Sequence, residues 1–130
     1  MPQVNDPATV AELTELYLRY EKALCENDVT TLDELFWQAS EVVRFGATEN
    51  LYGIEEIRNF RQNRPTKDLA REISHLQVVT FDDQMAAVTL EFQRTINGVV
   101  RSGRQSQMWY RFSEGWKIVS AHVSLLPGTP

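Results

Sequence analysis

The sequence predicts an α+β fold, with helices first and a curved, mostly antiparallel strand meander second, closed into a cone. Three observations predict it. Apolar residues recur at spacings of three and four through the first half of the chain, and at every second position from Ala70 onward. Hairpin turn signals, Asp82-Asp83, Asn97-Gly98 and Ser113-Glu114-Gly115, punctuate that second part, and Asn-Gly is the strongest of them. The length of 130 residues suits one core, so a single domain over residues 1–130 is expected, with its core at about 5–126.

Asn5-Asp6-Pro7 starts the first helix, because a capping side chain precedes a proline whose missing N–H costs nothing in the first turn. Val10, Leu13, Tyr17, Tyr20 and Leu24 then form its buried stripe, and Asn27-Asp28 breaks it. Thr30 to Trp37 reads as a short second helix with its apolar residues at the end. Val42 to Phe45 is a short strand, and Asn50 to Tyr52 another, ending at Gly53. The third helix runs from Ile54 to Arg64 with Ile54, Ile57 and Phe60 inward, terminated by Pro65. Four longer strands follow at Arg71–Thr80, Met85–Thr95, Val99–Phe112 and Trp116–Leu126. The tail, Pro127 to Pro130, is expected to be loose.

Alternation assigns the faces of the strands. On the last strand Val119, Ala121, Val123 and Leu125 face the core, and Ser120, His122 and Ser124 face away. On a central strand Val88, Leu90 and Phe92 face the core, with Thr89, Glu91 and Gln93 opposite. The mixed faces are left for solvent or a second subunit.

Thirteen Lys and Arg against eighteen Asp and Glu give a net charge of -5, a field that repels nucleic acid and anionic membrane. A local arginine can still capture a small anion. One cysteine, Cys25, and two histidines leave neither an internal disulfide nor a cysteine-based zinc site. No signal peptide is visible and no apolar run approaches the roughly 18 residues of a transmembrane helix. The expectation is a soluble cytoplasmic protein, with no nucleic-acid partner and no membrane association.

Several residues can carry chemistry. Tyr20 lies within the buried stripe, so its hydroxyl needs a partner inside the cone. It is either a satisfied core tyrosine or a proton donor in a dry pocket, and Tyr17 one turn earlier competes for that role. Arg44, in a short apolar strand, faces solvent or a pocket. The cost of unpaired buried charge favours solvent, and an inward Arg44 would hold a carboxylate with its two-pronged guanidinium. Gln105, Gln107 and Trp109 share one strand face, on which Gln107 is either a pocket-lining hydrogen-bonder or a half-exposed strand residue. Arg104, on the other face, fits an external ion pair. His122 faces out by alternation, and His75 has no supporting constellation. Arg58, Arg61 and Arg64 read as a solvated helix face or as the rim of a cavity for anions. With no phosphate loop, nucleophile elbow or metal-ligand spacing, any chemistry is expected to need no cofactor.

Asn50-Leu51-Tyr52-Gly53-Ile54 and the closing segment from Gly115 to Ser124 resemble the nuclear-transport-factor-2-like (SnoaL-like) superfamily, whose fold is cystatin-like. Four segments, Asp33 to Trp37, Arg44-Phe45-Gly46, Glu49 to Ile54 and Gly103 to Trp109, are similar to the AtzH-like family, which includes the HpxZ protein of oxalurate catabolism. The similarity spans about Val4 to Leu126. It implies a cone-shaped α+β barrel, a homodimer, and small ureido or amide carboxylates as ligands. A member of the family decarboxylates 1,3-dicarboxyurea with a tyrosine of the first helix and an arginine of the following strand. Those roles fall here on Tyr20 and Arg44, and the resemblance moves Arg44 from solvent to function.

The implied chemistry is coherent. Loss of CO2 from an N-carboxylate needs no electron sink, because the nitrogen accepts a proton and leaves. Arg44 would orient a carboxylate, Tyr20 would supply the proton, and Trp37, Phe92, Val123 and Trp109 would wall the pocket, with Gln107 hydrogen-bonding to the ligand. Two other readings stand beside it. One is a non-catalytic binding or accessory module supporting a partner amidohydrolase, and the other is a plain dimerisation domain.

Overall fold

A computed structural model describes residues 2–128 as three helices and one six-stranded sheet. Helix α1 spans Pro7–Glu26. The Asp6 side chain caps it by accepting from the Thr9 N–H at 3.2 Å, with Pro7 in the first turn, and Asn27 ends it in the left-handed region. Leu13, Tyr17, Tyr20 and Leu24 are buried as their spacing requires, whereas Val10 is half-buried and Thr9 takes the buried place beside it. Helix α2 is shorter than its composition suggests, Val29–Leu35. Phe36 turns extended and bridges Ile118, and the Trp37 N–H donates to the Ile118 carbonyl at 3.0 Å. Sheet pairing there wins over continuation of the helix.

Strands β1 (Val43–Phe45) and β2 (Asn50–Tyr52) form a hairpin, and α3 (Gly53–Asn63) starts directly from it. Gly53 makes that sharp entry at φ +81°, with its N–H donating to the Val42 carbonyl at 2.7 Å. The long strands are β3 (Glu72–Phe81), β4 (Met85–Ile96), β5 (Val99–Phe112) and β6 (Gly115–Leu125). Asn97 and Gly98 both have positive φ, the requirement of the tight turn that joins β4 to β5. The strand order is β2-β1-β6-β5-β4-β3, and only β1 and β6 run parallel. The four-strand meander is therefore extended by two short strands into a mixed sheet.

Alternation holds along β4, where Ala86, Val88, Leu90 and Phe92 are buried and Thr89, Glu91 and Gln93 are exposed. On β6 it changes phase. Met108 pairs with Ser120 and Trp109 with Ile118, so Val119 is the extra residue of a bulge. Ile118 therefore fills the core and Val119 is half-buried, contrary to the uninterrupted face expected from sequence. Beyond the bulge Ala121 points inward, while Ser120 and His122 are exposed on the outer face. The helices cover the inner face, and Leu13, Leu32, Phe36, Val88, Trp109 and Ile118 form the centre of the core. No helix of the described residues is long and apolar enough to cross a membrane.

Candidate active site

A cavity of about 220 Å³ lies between the inner face of the sheet and α3. That is smaller than the ~300–1,000 Å³ typical of drug-sized ligand sites, so it suits a small metabolite. Its lining includes Arg44, Glu49, Arg64, Arg71, Phe92 and Arg94. Four cations meet one carboxylate there.

Each arginine is placed by its element. Arg44 is the middle residue of β1, and its parity puts it inward between the two flanking residues, leaving it 5% exposed. Its Nη1 donates to Glu49 Oε1 at 3.0 Å, and its Nε is buried without a partner. Gly46 makes this pairing possible, because a Cβ there would overlap the Glu49 carboxylate. Burial works against ionisation of Glu49, but hydrogen bonds from Thr48 and Arg44 outweigh it and hold the carboxyl below its usual range.

Arg71, just ahead of β3, is the saturated cation of the set. It grips both Glu21 oxygens at 2.8 Å, donates to Gln105 Oε1 at 2.8 Å and to the Tyr17 oxygen at 3.2 Å, and lies 4.5 Å over the Phe92 ring. Burial disfavours its charge, yet Glu21 keeps it more firmly protonated than an ordinary arginine. Arg64 and Arg94 are compensated more weakly, by the nearby charge of Glu49 for the first and by Asp68, whose carbonyl accepts from Nη2, for the second. Burial and neighbouring guanidinium groups lower both, Arg64 Nη1 and Arg94 Nε are buried without partners, and neither joins an ion pair among the described residues. Such an excess of poorly solvated positive charge recruits an anion.

Behind this lining stand two tyrosines of α1, with ring centroids 5.7 Å apart. The Tyr17 hydroxyl donates to Glu21 Oε1 at 2.8 Å and accepts from Arg71 and Gln105. Burial, reinforced by Glu21, pushes its ionisation far above the usual range. The Tyr20 hydroxyl accepts from Arg61 Nη2 at 3.1 Å, and no acceptor for its own proton is found among the described residues. Burial would raise this phenol too, but Arg61, Arg44 and Arg71 together hold it below its ordinary value.

Of the residues that the sequence nominates, Arg44, Phe92 and Val123 line the cavity. Tyr20 is 1% exposed and does not line the cavity. Gln107 and Trp109 do not reach the cavity. They share the inner face of β5 with Gly103 and Gln105, but lie further along the strand, and Trp109 Nε1 donates to Gln107 Oε1 at 2.9 Å within the core. Trp37 stacks on Phe112 with centroids 5.4 Å apart, because the chain has already turned extended at Phe36. Arg104 is exposed and donates to Ser124 Oγ rather than joining an ion pair. Arg61, grouped by the sequence reading with a solvated or rim face, is 2% exposed and fully inside.

The sequence reading missed Glu49, Arg71, Arg94 and Gln105. Two of these carried a signal. Arg94 continues the Val88, Leu90, Phe92 parity, and Gln105 that of Gln107 and Trp109. Arg71 and Glu49 sit just outside regular elements and carried none. Among the described residues no group of three or more His, Cys, Asp or Glu is arranged to hold a metal ion.

Comparison with known structures agrees with this architecture. The chain is 49% identical to a protein of unknown function from the DUF3225 family of Pectobacterium atrosepticum SCRI1043, with a TM-score of 0.91 and 95% of each chain covered. It is 39% identical to a cystatin-like fold protein from Burkholderia xenovorans LB400, with a TM-score of 0.90, 99% of this chain and 100% of that one covered. A nuclear transport factor 2 (NTF2-like) superfamily protein from Salmonella enterica serovar Typhimurium LT2, 24% identical at a TM-score of 0.75 over 95% of this chain and 94% of that one, shares the fold. A search of curated proteins returned no match. The family model for AtzH-like proteins matches residues 2–129, and the chain belongs to the AtzH-like family.

Proposed function

We propose that this protein is a cofactor-independent decarboxylase of ureide or amide-carboxylate catabolism, acting on a small carboxylated urea such as 1,3-dicarboxyurea or on an oxalurate-related compound. The observation that carries this reading is one juxtaposition. A cavity with surplus guanidinium charge shares Arg44 and Arg71 with a buried phenol on which both act, and that phenol's proton has no acceptor among the described residues.

Arg44 would orient a substrate carboxylate through paired hydrogen bonds from Nη2 and the Nε that has no partner, while Nη1 stays with Glu49. Arg64 and Arg94 would offset a second negative charge. Phe92, Val123, Leu24 and Leu69 supply apolar wall, which limits water and strengthens these contacts. Tyr20 would give its proton to nitrogen as the N–C bond breaks, with the electron pair staying on nitrogen and CO2 departing. A positioned proton donor of this kind contributes roughly 100- to 10,000-fold in rate.

The burial of Tyr20 favours a second reading, a non-catalytic module that binds the same anion and supports a partner amidohydrolase. The outer sheet face with Ser120, His122 and Ser124 is where a second copy of the chain would pack, and sedimentation measures that homodimer directly. The site of action would be the cytoplasm.

The deciding experiment measures CO2 release from 1,3-dicarboxyurea, alongside calorimetric binding of that compound and of oxalurate, whose carboxylate is on carbon. Turnover supports the enzyme. Tight binding with no release across ureido-carboxylates sinks it in favour of the binding module.

A further inference from the structure

Arg61 follows Ile54 and Ile57 on α3 at helical spacing, so it is turned inward although it is charged. It is 2% exposed and joins no ion pair among the described residues. Its Nη2 donates to the Tyr20 oxygen at 3.1 Å, while Nε and Nη1 are buried with no partner. The rings of Tyr20 and Phe36 flank the guanidinium, each centroid 6.0 Å away. An unpaired buried cation is expensive, and an apolar side chain of similar size would pack this place at lower cost. Among the described residues the one group to which the cation hydrogen-bonds is the phenol.

We propose that Arg61 is the positioning residue for Tyr20: it holds the phenol oxygen in register and balances the negative charge left there when the proton is given up. The proposal rests on the reading of Tyr20 as the proton donor. In that step the N–C bond of an N-carboxylate breaks, its electron pair stays on nitrogen, and CO2 leaves. The Tyr20 proton moves to that nitrogen. The phenolate oxygen remains against the Arg61 guanidinium until water returns a proton, releasing hydroxide.

Other charges face the pair and must be counted. Arg44 from β1 and Arg71 from ahead of β3 also act on Tyr20, with the Tyr17 ring tilted beside it on α1. Arg44 and Arg64 face Arg61, which burial first and Arg44 next bring down to about 10. Arg61 alone hydrogen-bonds to the phenol oxygen among the described residues.

The test is a pH titration of Tyr20 by NMR in protein carrying ring-13C tyrosine, with the resonance assigned through Tyr20→Phe. In the unmutated protein Tyr20 titrates below the value of about 10 of an ordinary tyrosine. Arg61→Met raises the midpoint by about one unit or more, and Arg61→Lys, which keeps the charge, raises it less. The alkaline limb of kcat moves the same way, and KM changes little. In Arg61→Met kcat falls roughly 10-fold or more, short of the ~100- to 10,000-fold of a lost proton donor. A midpoint unmoved in Arg61→Met overturns the proposal. If that variant does not fold, a Tyr20 that titrates at or above the ordinary value in the unmutated protein overturns it equally. Absence of turnover in the unmutated protein sinks the decarboxylase reading, whereas the titration decides the coupling of Arg61 to Tyr20 on its own.

Discussion

Tyr17 and Tyr20 lie side by side one turn apart on α1, their rings tilted by 39°, yet their hydroxyls are held by groups of opposite charge. The Tyr17 proton is bound to the Glu21 carboxylate at 2.8 Å, and the Tyr20 oxygen takes a bond from the Arg61 guanidinium at 3.1 Å. The two phenols should therefore fail differently when removed. Tyr20→Phe is expected to lower CO2 release by roughly 100- to 10,000-fold with the fold intact. Tyr17→Phe leaves Gln105 and Arg71 each short of an acceptor, and should cost about 1–3 kcal/mol of stability in urea unfolding.

Arg44 and Glu49 are a part-buried pair at the cavity wall, with side chains 6% and 20% exposed. Arg44→Ala should raise KM or abolish binding, and Arg44→Lys should restore little, because an ammonium cannot reproduce a two-pronged grip. Calorimetric titration with 1,3-dicarboxyurea distinguishes the two.

Gly46 borders that pair, and a side chain there collides with Glu49. Gly46→Ala is expected to displace the Glu49 carboxylate and leave Arg44 mispositioned, weakening ligand binding about 10-fold at nearly unchanged Tm. Retention of full affinity would show that the Arg44–Glu49 geometry is irrelevant to the ligand.

The weakly compensated cations predict a trade between binding and stability. Arg64→Met removes a charge that burial disfavours but also its contact with the Phe60 ring, at 5.5 Å. Stability should stay within about 1 kcal/mol or rise. Anion affinity should drop about 10-fold, the worth of one lost charge-assisted hydrogen bond.

Acid sensitivity should trace to Glu21. Burial raises its carboxyl, but Arg71 and the Tyr17 hydroxyl outweigh that and hold it below the usual range. A depressed folded pKa stabilises the protein above the unfolded value of about 4.3, and that stabilisation disappears as pH falls through the folded value. Glu21→Gln should therefore cost about 3–5 kcal/mol at neutral pH, since it strands Arg71. The difference from the unmutated protein should shrink below about pH 4. A pH-independent difference in denaturant midpoints would count against it.

Much of the fold was legible in the chain because its signals are local. Asp6-Pro7, Asn97-Gly98 and the two apolar periods act within a few residues of themselves, so they place α1, the β4–β5 turn and the strand faces. Where a distant partner competes, local reading fails. Helix α2 stops early because Phe36 and Trp37 find Ile118, and the face of β6 shifts phase at Val119 because β5 is one residue shorter there.

The candidate site divides along the same line. The sequence by itself determined an α+β chain with Tyr20 on a buried stripe, and resemblance added Arg44 as its counterpart. Only the tertiary structure decided that Arg44 turns inward to Glu49, that Arg61 leaves the solvated face to meet Tyr20, and that Arg71 and Arg94 converge with them. It also removed Trp37, Gln107 and Trp109 from the cavity lining. The physical reason is that burying a guanidinium is unfavourable for any residue considered alone. It becomes favourable only through partners that lie tens of residues away, and those are set by sheet register and helix packing rather than by neighbours in sequence.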